Sequence, residues 1–103
     1  MRLTHALVQV ALALSEDPFG QHYGYGLSRE AGVRSGVLYP LLRRMQADGW
    51  LVDGWEDPAE VAGRPPRRYY TVTDKGRQEI GMALERARAD VRFGALVGWS
   101  LSQ

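Results

Sequence analysis

Two short helices and the tight turn between them are predicted for residues 23–49, which read YGYGLSREAGVRSGVLYPLLRRMQADG. The first helix spans Tyr23–Ala31, and Gly32 suits the left-handed backbone with which many helices end. Ser35 is a good N-cap for the second helix, which runs to about Asp48. Two short helices joined by a turn of this length form a helix-turn-helix.

The second of these helices has an apolar face and a polar face. Four apolar residues follow the i, i+3, i+4, i+7 spacing of a core-facing stripe: Leu38, Leu41, Leu42 and Met45. The opposite face carries Gly36, Tyr39, Pro40, Arg43 and Ala47. Pro40 lacks the N–H that would bond to the Gly36 carbonyl. We therefore expect a distorted first turn or a later start of this helix.

A hairpin and a long helix are predicted downstream. Trp50–Glu56 and Arg68–Val72 are short runs with aromatic or β-branched content, and the loop between them is rich in proline. Thr73 is expected to cap a final helix that continues to about Leu101 with apolar residues three and four apart. A hairpin that follows a helix-turn-helix in this way is a wing, so the predicted fold is a winged helix-turn-helix.

The length of 103 residues allows one domain. Leu3–Ser15 predicts a first helix that is apolar nearly all round, and such a helix must be covered on more than one side. The fold class is therefore mainly α with a small β-hairpin. We expect a winged helix-turn-helix DNA-binding domain over residues 1–73 and a C-terminal dimerisation helix over residues 74–103, packed as one compact unit.

Composition excludes several classes of protein. The chain has no cysteine, which excludes a disulfide scaffold and a thiolate metal cluster. His5 and His22 are not at metal-ligand spacing, so we expect neither a metal nor a cofactor. No apolar run is long enough to cross a membrane and no signal peptide is apparent, so we expect a cytoplasmic protein with no membrane partner. No catalytic constellation stands out, so an enzyme is not expected.

Charge is unevenly distributed although the net charge is only +1. Residues 31–47 carry three arginines and no acid after Glu30, and residues 64–77 carry five basic side chains against Asp74 alone. Between these stretches lies an acidic block formed by Asp53, Glu56, Asp57 and Glu60. Such segregation can create a basic face for nucleic acid on a nearly neutral protein, although ordinary solvated surface is the other interpretation.

The second helix is the candidate for reading double-stranded DNA, because the N-terminal residues of such a helix face base edges in the major groove. Arg43 could reach a guanine bidentately, and Arg44 could equally serve a phosphate. Ser35 and the N–H groups of the first turn could bind a phosphate oxygen. The alternative is that Tyr39 covers the edge of the core and both arginines are merely solvated.

The wing offers a second candidate contact in the segment Gly63–Arg68. Proline stiffness lowers the entropy that a loop loses on docking, and guanidinium groups suit phosphates or a narrow minor groove. The arginines concerned are Arg64, Arg67 and Arg68. The alternative is a turn whose arginines offset the charges of Asp57 and Glu60.

Four strings of this chain resemble the PadR family of bacterial transcriptional regulators over roughly residues 5–80. They are HYGYGL at 22–27, SGVLYPLLRRM at 35–45, DGWL at 48–51 and GRPPRRYYTVTDKGR at 63–77. The chain resembles the short subfamily with a single C-terminal helix. The resemblance implies a dimeric winged-helix repressor that binds a pseudo-palindromic operator. It also implies that Tyr39, Pro40 and Arg43 lie in the recognition region, and that Arg64 and Arg67 lie in the wing.

Dimerisation is also expected because the first helix is too apolar for a three-helix domain alone and the last helix extends beyond the wing. The residues expected at the interface are Leu3, Leu7, Val10, Ile80, Leu84 and Val91. The alternative is a monomer with the last helix folded back. Phe93 and Trp99 could line a pocket for a small apolar effector, although aromatic residues at helical spacing are more often plain core.

The function expected from the sequence is that of a sequence-specific DNA-binding regulator of transcription. The expected form is a repressor that binds its operator as a homodimer and is released by a small apolar effector. The alternative is a winged-helix module that binds another protein and not DNA. The acidic block beside the wing favours that alternative, because carboxylates repel phosphates.

Overall fold

A computed structural model describes residues 1–98 of the chain. Its helices are α1 (His5–Ser15), α2 (Gly24–Ala31), α3 (Ser35–Ala47), α4 (Asp74–Arg88) and α5 (Gly94–Val97). Its strands are β1 (His22–Tyr23), β2 (Leu51–Trp55) and β3 (Arg68–Val72), and short 3-10 turns occupy Pro58–Glu60 and Val91–Phe93. The mainly helical winged helix-turn-helix predicted from the sequence is confirmed.

Threonine side chains begin two of the helices. Thr4 accepts a hydrogen bond from the Leu7 N–H at 3.1 Å, and Thr73 accepts one from the Gly76 N–H at 2.9 Å. The Thr73 hydroxyl also donates to the Gly49 carbonyl at 2.6 Å, which ties the start of α4 to the end of the helix-turn-helix. The predicted cap at Thr73 is thus confirmed, because its hydroxyl can bond in both directions at once.

The turn between α2 and α3 is three residues long, since α2 ends at Ala31 and α3 begins at Ser35. Gly32 adopts the left-handed conformation, with φ of 67°. The Ser28 hydroxyl donates to the Val33 carbonyl at 2.6 Å and closes the turn from the α2 side. A residue with a Cβ would be strained at position 32, so the left-handed backbone conformation explains why a glycine is found there.

The start of α3 differs from the prediction by one residue. Ser35 is the first residue of the helix and not its cap, which is Arg34, and no Arg34 side-chain bond caps the helix. The first turn closes instead through the Arg34 carbonyl, which accepts from the N–H groups of Val37 and Leu38 at 2.9 and 2.8 Å. The helix then continues through Pro40, so the expected later start is wrong.

The sheet has three antiparallel strands in the order β1-β3-β2. The wing hairpin pairs Leu51 with Val72 at its base and Trp55 with Arg68 at its far end. The added strand β1 pairs His22 with Tyr70 and was not predicted, because two residues show no recognisable alternation. His22 is buried, and its Nε2 donates to the Asp17 carbonyl at 2.7 Å.

The core is built around α1, which packs against α2, α3, α4 and α5 of the same chain. Val10, Ala11 and Leu14 are fully buried there. The apolar character of this helix therefore has an explanation within one chain. Cover by α4 and α5 is enough for this helix, so dimerisation is not needed to explain its apolar character.

The C-terminal part of the described chain is not one long helix, and this prediction is wrong. The α4 helix ends at Arg88, and the Asp90 side chain caps the following 3-10 turn by accepting from the Arg92 N–H at 2.9 Å. Phe93 at the end of that turn is 1% exposed and packs on the ring of His5. The break lets α5 fold back on α1. Leu101 lies outside the described residues.

None of the helices described is both long and apolar enough to cross a lipid bilayer. Likewise, residues 1–98 contain no cluster of three or more histidine or acidic side chains that could hold a metal ion.

Candidate nucleic-acid interface

The outward face of α3 carries the six residues of this helix that the sequence predicts to contact DNA. They are Ser35, Gly36, Tyr39, Pro40, Arg43 and Arg44, and each is exposed. The opposite face is anchored in the core by residues that are 0% exposed, namely Leu38, Leu42 and Met45. Leu41, also predicted as core, is only half-buried. The helix is thus held from behind, and its polar face is available to a ligand.

Tyr39 has a structural contact that the sequence did not predict. Its ring lies across Gly24, the first residue of α2, where a Cβ would stand 2.2 Å from the Tyr39 hydroxyl oxygen. The side chain nevertheless remains 40% exposed. Tyr39 therefore braces α3 against α2 and still reaches the surface. The signal for this contact was the glycine at position 24, which otherwise weakens a short helix.

Arg43 and Arg44 differ in their partners. Arg44 forms an exposed ion pair with Asp48 at 3.2 Å on the same helix, an interaction worth about 0.5 kcal/mol or less. Arg43 makes no ion pair within residues 1–98. A phosphate can displace a pair as weak as that of Arg44, and Arg43 has nothing to displace.

The start of β3 lies beside α3 and joins the wing to the helix. Arg68 donates to Asp53 of β2 at 2.8 Å and to the amide oxygen of Gln46 of α3 at 3.2 Å. Its guanidinium also lies over the Tyr70 ring, 5.1 Å from the centroid. Burial raises the pKa of the Tyr70 hydroxyl, and the positive charges of Arg68 and Arg43 offset part of that rise. Arg68 thus has several partners within the chain.

Glu56 accepts hydrogen bonds from several polar groups at the far end of the wing hairpin, where the loop begins. Arg64 donates to its two carboxylate oxygens at 2.7 and 3.1 Å. The Arg67 N–H donates to the same carboxylate at 2.8 Å, and the Tyr23 hydroxyl donates at 3.2 Å. These hydrogen bonds, that of Arg64 first, lower the pKa of Glu56 to about 2. The carboxylate is therefore ionised throughout the physiological range.

The three predicted wing arginines are consequently not equivalent. Arg64 is paired with Glu56 and Arg68 with Asp53, whereas the Arg67 side chain makes no ion pair in the described part of the chain. The sequence left open that nearby acids offset these arginines. The acids that do so belong to β2 and its end, not to the loop residues Asp57 and Glu60 named beforehand, because strand pairing brings β2 and β3 side by side.

Most residues predicted for dimerisation lie inside the chain's own core. Leu7, Val10, Ile80 and Leu84 are buried, Leu3 is half-buried, and Val91 is 75% exposed. Phe93, predicted for an effector pocket, is buried, which favours the core role left open above. Trp99, its predicted partner, lies outside the described residues. An apolar cavity of about 220 Å³ lies elsewhere, between Leu14, Ile80 and Leu84.

Solved structures of known proteins share this fold. A PadR family transcriptional regulator from Eggerthella lenta is 29% identical, with a TM-score of 0.64, over 82% of this chain and 76% of that one. A PadR family regulator from Clostridium difficile is 16% identical, with a TM-score of 0.69, over 89% and 96%. A PadR-like regulator from Bacillus cereus is 24% identical, with a TM-score of 0.63, over 93% and 86%. The last two show the fold alone.

Comparison of the sequence with curated proteins gives no match. The family model of the PadR-like transcriptional regulators, in contrast, matches residues 13–82, which is more than half of the chain. That range contains the helix-turn-helix, the wing and the first part of α4. The chain belongs to the PadR-like family of transcriptional regulators.

Proposed function

We propose that this chain is a sequence-specific DNA-binding repressor that binds a pseudo-palindromic operator as a homodimer. The observation that carries the proposal is the outward face of α3. It presents Tyr39 and Arg43 on a helix whose other face is fully buried. A helix held in this way can enter the major groove without any change in the core.

Arg43 is the residue we propose for reading a base. Its guanidinium has the fork geometry that matches the two acceptors of a guanine, and no ion pair within residues 1–98 competes for it. Arg44, Ser35 and the N–H groups of the first turn are proposed as phosphate contacts that set the register of the helix. Pro40 and Gly36 belong to the same surface.

A module that binds protein instead of DNA remains the competing function. Its support was the acidic block, because four carboxylates beside the wing would repel phosphates. Two of these acids, Asp53 and Glu56, are neutralised by arginines of the wing. The same pairing also occupies those arginines. The proposal therefore rests on α3, and the wing supplies a secondary contact through Arg67.

Dimerisation is proposed through the C-terminal part of the chain, residues 74–103. Two large apolar side chains there are exposed in the single chain, Met82 at 50% and Val91 at 75%. A second copy would cover them, and a two-fold axis would present two α3 helices to half-sites about 34–36 Å apart. Release by a small apolar effector and a cytoplasmic location, where the chromosome lies, complete the proposal.

The experiment begins with a footprint on the DNA that flanks the protein's own reading frame, which identifies an operator. Titration of that operator and its single-base variants then tests Arg43→Ala. We expect a loss of about 1–3 kcal/mol and relaxed preference at one symmetric pair of base pairs. Arg2→Ala is the control, because Arg2 is exposed and lies outside α3, the wing and the region proposed for dimerisation.

Arg2→Ala is expected to bind every variant as the parent does. Binding of protein instead of DNA becomes the favoured function if Arg43→Ala stays folded by circular dichroism and also binds every operator variant as the parent does. Repression itself is read from a reporter gene placed behind the operator, which should be less active with the protein than without it.

A further inference from the structure

We propose that Glu56 is a positioning residue for DNA binding: it keeps Arg64 as an internal counterion and orients the wing so that Arg67 is the wing's phosphate contact. The proposal rests on the proposed function, because it concerns how the wing meets DNA. It assigns different roles to Arg64 and Arg67, for which the sequence predicts the same role.

The first step of the argument is the geometry around the carboxylate. Two guanidinium nitrogens of Arg64 donate hydrogen bonds to the two carboxylate oxygens of Glu56, at 2.7 and 3.1 Å. This bidentate arrangement is the strongest form of such a pair. The Glu56 side chain is only 15% exposed, so water screens the pair less than it screens the exposed pair of Arg44. A phosphate that bound Arg64 would have to replace both of its hydrogen bonds to Glu56.

The second step concerns Arg67, whose backbone is fixed from two sides. Its N–H donates to the Glu56 carboxylate at 2.8 Å, and its carbonyl accepts from the Glu56 N–H at 2.9 Å. One glutamate therefore holds the backbone of Arg67 by main chain and side chain together. The Arg67 side chain is exposed and has no ion pair in the described part of the chain. A fixed backbone with an available guanidinium is what a phosphate contact requires.

The third step concerns what else holds the wing loop. Residues 57–60 and 62–65 are exposed, and only Val61 and Pro66 are half-buried. Such a loop has little apolar burial to order it, so polar contacts at its base must do so. The Tyr23 hydroxyl, at 3.2 Å from the same carboxylate, connects these contacts to β1 in the body of the domain. Removing Glu56 would therefore release the loop and leave the core intact.

The test compares four alanine variants: Glu56→Ala, Arg64→Ala, Arg67→Ala and the control Glu60→Ala. Each is titrated with operator DNA over a range of salt concentrations. A phosphate contact contributes about 0.9 to the slope of log K against log salt. Arg67→Ala should lower the magnitude of the slope by about 0.9 for each wing. Arg64→Ala should weaken binding and lower the slope by less than Arg67→Ala does, because the Arg67 guanidinium is still present and Glu56 still holds its N–H.

Glu60→Ala separates positioning from charge, because it removes the same negative charge from the same loop. Glu60 makes no ion pair within residues 1–98. If charge alone mattered, both acid variants would bind DNA more tightly than the parent. We expect Glu56→Ala to bind more weakly and Glu60→Ala to bind at least as well as the parent.

Hydrogen exchange of the DNA-free protein gives a second readout that does not depend on an operator. The hydrogen-bonded amides of this segment, those of Ala59, Glu60, Val61 and Arg67, should exchange faster in Glu56→Ala and Arg64→Ala. The amides of residues 59–61 should exchange at the parental rate in Arg67→Ala. If the chain failed to bind DNA, this result would still show that Glu56 orders the wing loop, and the phosphate contact of Arg67 would fall together with the proposed function. A slope lowered by Arg64→Ala as much as by Arg67→Ala, or parental exchange in Glu56→Ala, would overturn the proposal.

Discussion

Gly36 offers the sharpest separation between folding and DNA binding. It is the second residue of α3 and is exposed, and a Cβ added there would meet no atom of the chain within 4 Å. Gly81 in the middle of α4 has the same open surroundings. Glycine inside a helix costs roughly 0.5–1 kcal/mol relative to alanine, because it loses more backbone freedom on folding. At both positions alanine fits without a clash.

The two substitutions should affect stability in the same direction. Gly81→Ala lies mid-helix and should stabilise the fold by about 0.5–1 kcal/mol, which corresponds to about 2–8 °C in Tm for a domain of this size. Gly36→Ala lies near a helix end, where propensity counts for less, so we expect a gain of about 0.5 kcal/mol or less. Neither variant removes a contact of the folded chain.

Their effects on DNA should differ. The methyl group at position 36 projects from the first turn of α3, where the proposed function brings phosphate or base edges close. Displacing the helix by that methyl group would disturb contacts such as a bidentate arginine–guanine pair, worth about 1–3 kcal/mol. The expected loss is therefore about 5- to 150-fold in affinity. Gly81→Ala lies outside α3 but within the region proposed for dimerisation, so it should bind as the parent does at protein concentrations where sedimentation shows both to be dimeric.

The assay combines thermal unfolding by circular dichroism with fluorescence anisotropy on labelled operator. Parental affinity of Gly36→Ala would show that the first turn of α3 does not approach DNA closely. A destabilised Gly36→Ala would refute the reasoning in another way. The glycine would then be needed by the fold, where the Pro40 ring crowds the Gly36 carbonyl.

Three further predictions concern the brace, the core and the wing. Gly24→Ala places a methyl group where the Tyr39 ring lies, so DNA binding should weaken while circular dichroism still reports a folded helical protein; an unmoved Tyr39 ring resonance in the NMR spectrum would contradict this. Phe93→Ala should lower the free energy of unfolding by about 3–5 kcal/mol in urea titration, because its side chain is 1% exposed, and a loss below about 1 kcal/mol would contradict its place in the core. The pKa of Glu56 is lowered from 4.5 to about 2, so its stabilisation of the wing is complete above pH 4.5 and is lost as the pH falls through about 2. An NMR titration of that carboxyl with a midpoint near 4.5 would show that the ion pair does not form.

The sequence predicted the elements whose side-chain pattern is long enough to be read. The strand Arg68–Val72 was placed with its observed bounds, because alternating residues enter the core and the turn residues on either side are clear. The buried stripe of α3 followed from its spacing. Strand β1 was missed, because two residues hold no period and its pairing depends on a strand that lies far along the chain.

The C-terminal error has a local physical cause. Apolar residues keep helical spacing beyond Arg88, so the pattern alone extends the helix. Asp90, however, is a strong capping residue, and its side chain ends one helical segment by starting the next. A buried Phe93 then makes the fold-back favourable. If the capping preference of Asp90 had been weighed against the helical spacing of the apolar residues, the end of the helix would have been predicted near its observed position.

The sequence predicted where the candidate site lies, but not which of its charged side chains pair with each other. The exposed face of α3 follows from the apolar stripe behind it. The sequence does not show which acidic residue pairs with which arginine, because Arg64 and Glu56 meet only after an exposed loop has turned back on itself. Likewise, nothing in the sequence spacing shows that Tyr39 reaches Gly24, since the angle between α2 and α3 decides that contact.

The contact between Tyr39 and Gly24 has a consequence for how such a regulator can acquire a new operator. Position 43 is exposed and its arginine makes no ion pair within residues 1–98, so its side chain can be exchanged one substitution at a time. Positions 24 and 39 are sterically coupled, because a side chain at position 24 obliges the Tyr39 ring to move. Engineering of new specificities should therefore vary position 43 alone and treat 24 and 39 as a single paired site in any combinatorial library.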